Sequence, residues 1–272
     1  MLKDVTIGQY FPGNSFLHRL DPRVKLLLTL LYIVAVFLPQ NWIGLGVAAA
    51  LLCVAVALSG LPVRLLWKSV KPILVLIVFT SLLNMFYVTG GTPLVDFWII
   101  HITTRGVYTA AFIAARIVCL IAGSSLLTYT TTPTALTDAI EAVLSPLKVI
   151  RVNAHELAMM MTIALRFIPT LLEETDKIMA AQKARGADLE SGGLMQRVRA
   201  LIPILIPLFV SSFRRAYDLA VAMECRCYRG GEGRTRMKRL RTAPRDWVAV
   251  AVCLAVTAVL ILLNSRFGSV LR

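Results

Sequence analysis

The sequence predicts an all-α, polytopic membrane protein with about five transmembrane helices and a cytoplasmic helical domain, and three observations predict it. Hydrophobic residues make up 57% of the 272 positions, above the roughly 45–50% of a soluble domain, and the mean hydropathy is +0.74. Several runs long enough to cross a bilayer carry no charge at all. The charge that remains is lopsided, 29 Lys and Arg against 15 Asp and Glu, and it gathers between the apolar runs, as in cytoplasmic segments.

Lys25 and Arg64 bracket an uncharged stretch, 26–63, of 38 residues. One span needs about 20 residues at 1.5 Å each, so this stretch holds two, about 25–39 and 42–60, with a turn at Pro39-Gln40-Asn41. Arg64, Lys68 and Lys71 read as a short basic loop. A third uncharged run covers 72–95, with Gly90-Gly91-Thr92-Pro93 marking its end. A fourth span runs from about Gly106 to Thr128 and contains one charge, Arg116. A charge at that depth is expensive and faces protein or water; it either pairs with Asp96 or snorkels outward, in a packing or a functional role. The fifth span, 247–263, opens on an interfacial Trp247. Lys and Arg concentrate in the N-terminal segment, the 61–71 loop and the insert, which places all three in the cytoplasm, with the C-terminal tail outside. The domains are therefore 1–129, a membrane domain of four spans; 130–245, the insert; and 246–272, the last span and tail.

Three helices are legible in the insert. The first starts near Thr134, as N-cap, and runs to about Leu144. The second starts near Asn153, with Glu156 three residues on, and stops at Gly186. Leu157, Met160, Met161, Ala164, Leu165, Ile168, Leu171 and Leu172 give it a wide apolar face, and Pro169 kinks it. The third starts near Pro203, passes Pro207 and ends about Tyr228; Leu208, Phe209, Phe213, Tyr217, Ala220 and Met223 line its apolar face. Both long helices carry Ile-Pro early and an arginine in the last turn, Arg185 or Arg226. Each guanidinium offsets the negative helix end and projects past it. Taken alone, each is a solvated cap.

Chemistry is conspicuous by what is missing. No G-x-x-x-x-G-K-[ST] is present to cradle a nucleotide. Cys53, Cys119 and Cys253 lie in apolar runs, and Cys225-Arg226-Cys227 is a lone C-x-C, so neither a disulfide framework nor a metal site is expected. His18, His101 and His155 are scattered, His155 reading as a neighbour of a helix cap. No nucleic-acid-binding pattern accompanies the basic charge. The run from Arg234 to Arg245 suits anionic lipid head groups instead. No cofactor is expected, and the chain is not itself expected to be an enzyme. A stand-alone secondary transporter would need ionisable groups along a path through the membrane, and only Arg116 qualifies.

Four ordered segments resemble the transmembrane T component of energy-coupling factor (ECF) transporters, across nearly the whole chain. They are Ser15-Phe16-Leu17-His18-Arg19-Leu20-Asp21-Pro22 and on to Lys25; Leu126-Leu127-Thr128 through Pro133; His155-Glu156-Leu157 through Arg166-Phe167-Ile168-Pro169 to Ala184-Arg185-Gly186; and Ala222-Met223-Glu224-Cys225-Arg226-Cys227-Tyr228-Arg229-Gly230. The resemblance implies a coupling domain whose two long helices cross in an X, each ending in an Ala-Arg-Gly-type motif that docks on one of two ATPase subunits. Ala184, Arg185 and Gly186 match the first motif; Cys225, Arg226 and Cys227 stand at the second and keep only its arginine. It also implies a membrane-embedded S component that binds a vitamin or other micronutrient. Met159, Met160, Met161 and Met179 suit a grip on it, since Met adapts to differing surfaces; packing within the insert is the competing reading. The full insert and the Arg-Gly-Gly-Glu-Gly-Arg-Thr stretch from Arg229 resemble the shared type of T component more than one dedicated to cobalt, nickel or biotin.

Overall fold

The computed structural model describes residues 10–87, 93–97, 100–146, 154–187, 193–230 and 240–266. They fall into two compact units, one of residues 8–139 and 239–272, the other of 140–238.

In the first unit, α1 (Pro22–Phe37), α2 (Trp42–Ser59), α5 (Thr104–Thr130) and α9 (Pro244–Arg266) pack on one another, and α3 (Val63–Val70) and α4 (Leu74–Tyr87) lie against α5. Local chemistry sets the ends. The Asp21 carboxylate accepts from the Arg23 amide at 2.9 Å with Pro22 in the first turn, which starts α1. Asn41 caps α2 through the Gly44 amide at 2.8 Å, and Gly60, at φ 65°, ends it in the left-handed conformation. Thr103 caps α5. Tyr32, Ala35 and Val36 of α1, Leu45 and Ala48 of α2, Phe112 and Cys119 of α5 and Leu260 of α9 form the core. Gly123 lets α1 and α5 approach closely: a Cβ there would run into the Tyr32 ring.

The outward faces stay apolar, with Val34, Phe37, Val54, Leu58, Leu76, Phe79, Val252 and Leu262 all exposed. Apolar surface of that extent needs lipid. Six described helical stretches are long and apolar enough to cross a membrane: Trp42–Ser59, Val63–Tyr87, Thr104–Thr130, Ala154–Ala184, Val198–Cys225 and Pro244–Arg266. Four of them hold the spans predicted at 42–60, 72–95, 106–128 and 247–263. The span predicted at 25–39 is α1, whose 16 residues reach about 24 Å, short of a ~30 Å hydrocarbon core. The other two stretches are the long helices of the insert. They qualify because each holds a nearly uncharged apolar stretch, 157–172 in α7, broken only by Arg166, and 200–213 in α8.

Three local expectations are corrected. The basic 61–71 loop is helix α3, joined to α4 by a 3-10 turn at Lys71–Ile73. The charges there misled because they occupy the exposed side of an amphipathic helix, with Leu66 and Val70 buried. The third apolar run stops being helical at Tyr87, and an antiparallel hairpin follows, β1 (Pro93–Phe97) with β2 (Ile100–Thr103). Gly90, Gly91 and Thr92 and the side chains of Asp96 and His101 lie outside the described residues. Finally, α6 (Pro133–Leu144) is capped by Thr132 rather than Thr134; its hydroxyl accepts from the Ala135 amide at 3.3 Å.

The second unit is built on α7 (Ala154–Ala184) and α8 (Leu194–Cys225), packed together. Helix α8 starts nine residues before the predicted Pro203. Both of its prolines are therefore interior, where each removes one backbone hydrogen bond. Asn153, expected to cap α7, lies outside the described residues, as do Arg234, Arg236, Lys238 and Arg239 of the basic run.

Candidate functional site

The two arginine-bearing helix ends have the same backbone construction. At the end of α7 the Gly186 amide donates to the Lys183 carbonyl at 3.0 Å and the Ala187 amide to the Gln182 carbonyl at 3.0 Å, with Gly186 at φ 85°. At the end of α8 the Cys227 amide donates to the Glu224 carbonyl at 2.8 Å and the Tyr228 amide to the Met223 carbonyl at 3.0 Å, with Cys227 at φ 55°. Both patterns are Schellman motifs, in which one left-handed residue reverses the chain and satisfies the last carbonyls. Arg185 and Arg226 hold the same position, one residue before the reversal. Ala184, Arg185, Gly186, Cys225, Arg226 and Cys227 are all exposed. Where the first end has Gly186, the second has Cys227 in the same left-handed backbone region, a conformation that favours glycine. Cys227 is the sole non-glycine residue at positive φ among those described.

On α7, Met160 and Met161 are exposed, while Met159 and Met179 are half-buried. Leu157, Met160, Met161, Ala164 and Ile168 make one exposed apolar stripe at helical spacing. The apolar face of α8 is more open still. Met195, Val198, Ile202, Ile206, Phe209, Phe213 and Tyr217 are exposed, and Phe209 and Phe213 stack with ring centroids 6.5 Å apart. On α8, Ile204 is buried. His155, the second residue of α7, sits beside the helix start, and its Nδ1 lies 3.0 Å from Glu141 Oε1 of α6.

Sequence reasoning missed two groups. Glu174 of α7 accepts hydrogen bonds from the Ser211 hydroxyl and from Arg215 Nη2, both on α8. Gln182 Nε2 donates to the Pro203 carbonyl at 3.3 Å. That carbonyl has no partner in its own helix because Pro207, four residues on, has no N–H.

The second group is a knot in the membrane unit that explains the first resembling segment. Lys25 is buried, and its Nζ donates to the Thr130 carbonyl at the end of α5 (3.0 Å) and to the His18 carbonyl (3.3 Å). Buried Asp246, in the first turn of α9, accepts from the Asp21 amide (3.0 Å) and the Ala243 amide (2.6 Å). The start of α1, the end of α5 and the start of α9 are thereby tied together. No local pattern announces bonds between residues 105 and 225 positions apart. Arg116, the odd charge of the fourth span, donates to the Pro39 carbonyl past the end of α1 and lies 4.7 Å over the Phe112 ring.

Apolar helices of bilayer length with lipid-facing surfaces make this chain a multi-pass membrane protein, and comparison with known proteins places it among transporter components. A family model described as CbiQ, cobalt transport protein, matches residues 13–237. The chain is 53% identical over 269 residues to the energy-coupling factor transporter transmembrane protein EcfT of Clostridium kluyveri, with 98% of this chain and 100% of that protein covered. Against the protein of the same name from Ruminiclostridium cellulolyticum it is 50% identical over 267 residues, covering 98% and 100%. The Acidaminococcus fermentans protein of that name is 51% identical over 264 residues, covering 97% and 98%. The chain belongs to this family, as a transmembrane T component of energy-coupling factor transporters.

Proposed function

We propose that the chain is the non-catalytic coupling subunit of an ATP-driven uptake transporter, joining two ATPase subunits to a membrane-embedded S component. The observation that carries this reading is the identical construction of the two exposed helix ends, each presenting an arginine at the same position. Arg185 and Arg226 each dock on one ATPase subunit by charge-assisted hydrogen bonds to carboxylates. Closure of the ATPases on ATP moves the two helices against one another. The exposed apolar faces of α7 and α8, with Met160 and Met161 in the stripe and Met159 and Met179 beside it, carry the motion to the S component, and substrate is released inside. The N-terminus is cytoplasmic. The knot of Lys25, Thr130 and Asp246 puts the start of α1, the end of α5 and the start of α9 on one side, and Arg19, Arg23, Arg241 and Arg245 flank those ends.

The cargo is a vitamin or other micronutrient, delivered by several interchangeable S components. The cobalt description of the family model favours a second reading, a subunit dedicated to one metal-ion system. Identifying the proteins that copurify with the chain separates these: several S components support the shared reading, a single cobalt-specific one the dedicated reading. A stand-alone transporter is disfavoured because Arg116 is committed to the Pro39 carbonyl. The docking claim is tested by changing Arg185→Glu and Arg226→Glu together. The protein still inserts, but the ATPases no longer copurify and uptake is lost; ATPases retained on the double variant would refute the reading.

A further inference from the structure

Helices α7 and α8 run past one another in opposite senses, and the polar bonds between them share one register. Glu174 meets Ser211, and eight residues further along α7 Gln182 meets Pro203, eight residues back along α8. Two attachment points about 12 Å apart fix both the sliding position and the crossing angle of the helices.

The attachments are not equivalent. Gln182 makes one neutral bond at 3.3 Å. The Glu174 carboxylate takes a hydroxyl on one oxygen and a guanidinium on the other, and charge-assisted bonds are about twice as strong as neutral ones. The Glu174 and Arg215 side chains are 21% and 39% exposed, so the pair is only partly screened by water. Its position is the informative feature. From Glu174 to Arg185 is eleven residues, and from Arg215 to Arg226 is also eleven. Each arm is about 16 Å of helix, and the arms leave the attachment in opposite directions along two antiparallel rods. This charge-paired link between the described residues of the two helices therefore sits midway between the two tips.

We infer that Glu174, with Ser211 and Arg215, is the fulcrum about which the two coupling helices turn, and that Glu174 and Arg215 are positioning residues for energy coupling. The inference rests on the coupling reading above and adds a pivot to it. Displacement of one tip is returned to the other helix at this link; without the link the helices slide, and ATP is spent without moving the S component.

The test uses the complete transporter in vesicles, with Glu174→Gln, the milder Arg215→Lys, and the charge swap Glu174→Arg with Arg215→Glu. Uptake per ATP hydrolysed is expected to fall by roughly two- to fivefold in Glu174→Gln, the scale of a solvent-screened ion pair. It falls less in Arg215→Lys and recovers in the swap, with subunit composition unchanged throughout. In parallel, spin labels at the exposed positions Ala180 and Ala222, in a chain freed of its native cysteines, report the separation of the two arms. Their distance distribution should broaden in Glu174→Gln and sharpen again in the swap. An unchanged distribution overturns the fulcrum. So does a broadened distribution with unaltered uptake per ATP, and so does loss of the ATPases from the complex, which would make the pair part of docking. Because the distance measurement reads this chain alone, it holds even if the Arg185 and Arg226 substitutions fail to release the ATPases.

Discussion

Replacing Cys227 with glycine should tighten the end of α8, and the size of the effect follows from its backbone. Cys227 sits at φ 55°, where an L-residue carries a cost of about 1–2 kcal/mol that glycine does not. Glycine gives back roughly 0.5–1 kcal/mol through its greater freedom in the unfolded chain. The net gain is about 0.5–1 kcal/mol, which corresponds to roughly two- to fivefold slower opening-limited amide exchange. The amides to watch are those of residues 227 and 228, which donate to Glu224 and Met223. Hydrogen–deuterium exchange, corrected for intrinsic chemical rates, reads them directly. Gly186→Ala is the mirror experiment: the amides of 186 and 187 should exchange faster by about the same factor. Since Arg226 keeps its place, Cys227→Gly should leave ATPase copurification intact. Exchange at 227 and 228 that is unchanged or faster in Cys227→Gly, while Gly186→Ala behaves as expected, would refute the equivalence of the two helix ends.

Two further substitutions probe the membrane unit. Gly123→Ala forces a methyl group into the Tyr32 ring and should destabilise the α1–α5 contact by about 1–3 kcal/mol, read as a lower apparent unfolding temperature in detergent; an unchanged midpoint would show that the helices separate freely. Lys25→Met strands the Thr130 and His18 carbonyls at about 1–3 kcal/mol for each unpaired group. Proteolysis should then cut first near the loosened α5–α6 junction, and an unaltered digestion pattern would argue against the knot.

The helices of the membrane unit are legible because lipid demands long uncharged runs, and those runs are plain in the sequence. Helix α3 is not legible, because Arg64, Lys68 and Lys71 lie on one exposed face and imitate a loop. The start of α8 is hidden for a related reason: Pro203 resembles a first-turn proline, yet it sits mid-helix. The arginine tips can be read from the chain, since each ends a periodic run. The left-handed turn at Cys227 cannot, because turn chemistry alone would ask for glycine there. The Glu174 link and the Lys25–Asp246 knot are equally silent in sequence. Their partners are 37 to 225 residues apart, and nothing local distinguishes them from solvated charge.

Prolines 169, 203 and 207 have a mechanical consequence. Each deletes a rung of its helix's hydrogen-bond ladder and makes the rod easier to bend there. None lies between Glu174 and Arg185, or between Arg215 and Arg226, and neither stretch contains a glycine. The stretches that run from the Glu174–Arg215 link to the arginine ends are thus the rigid portions of the two rods. Compliance is confined to the other side of that link, where the exposed apolar faces of α7 and α8 can yield without softening the arginine-bearing arms.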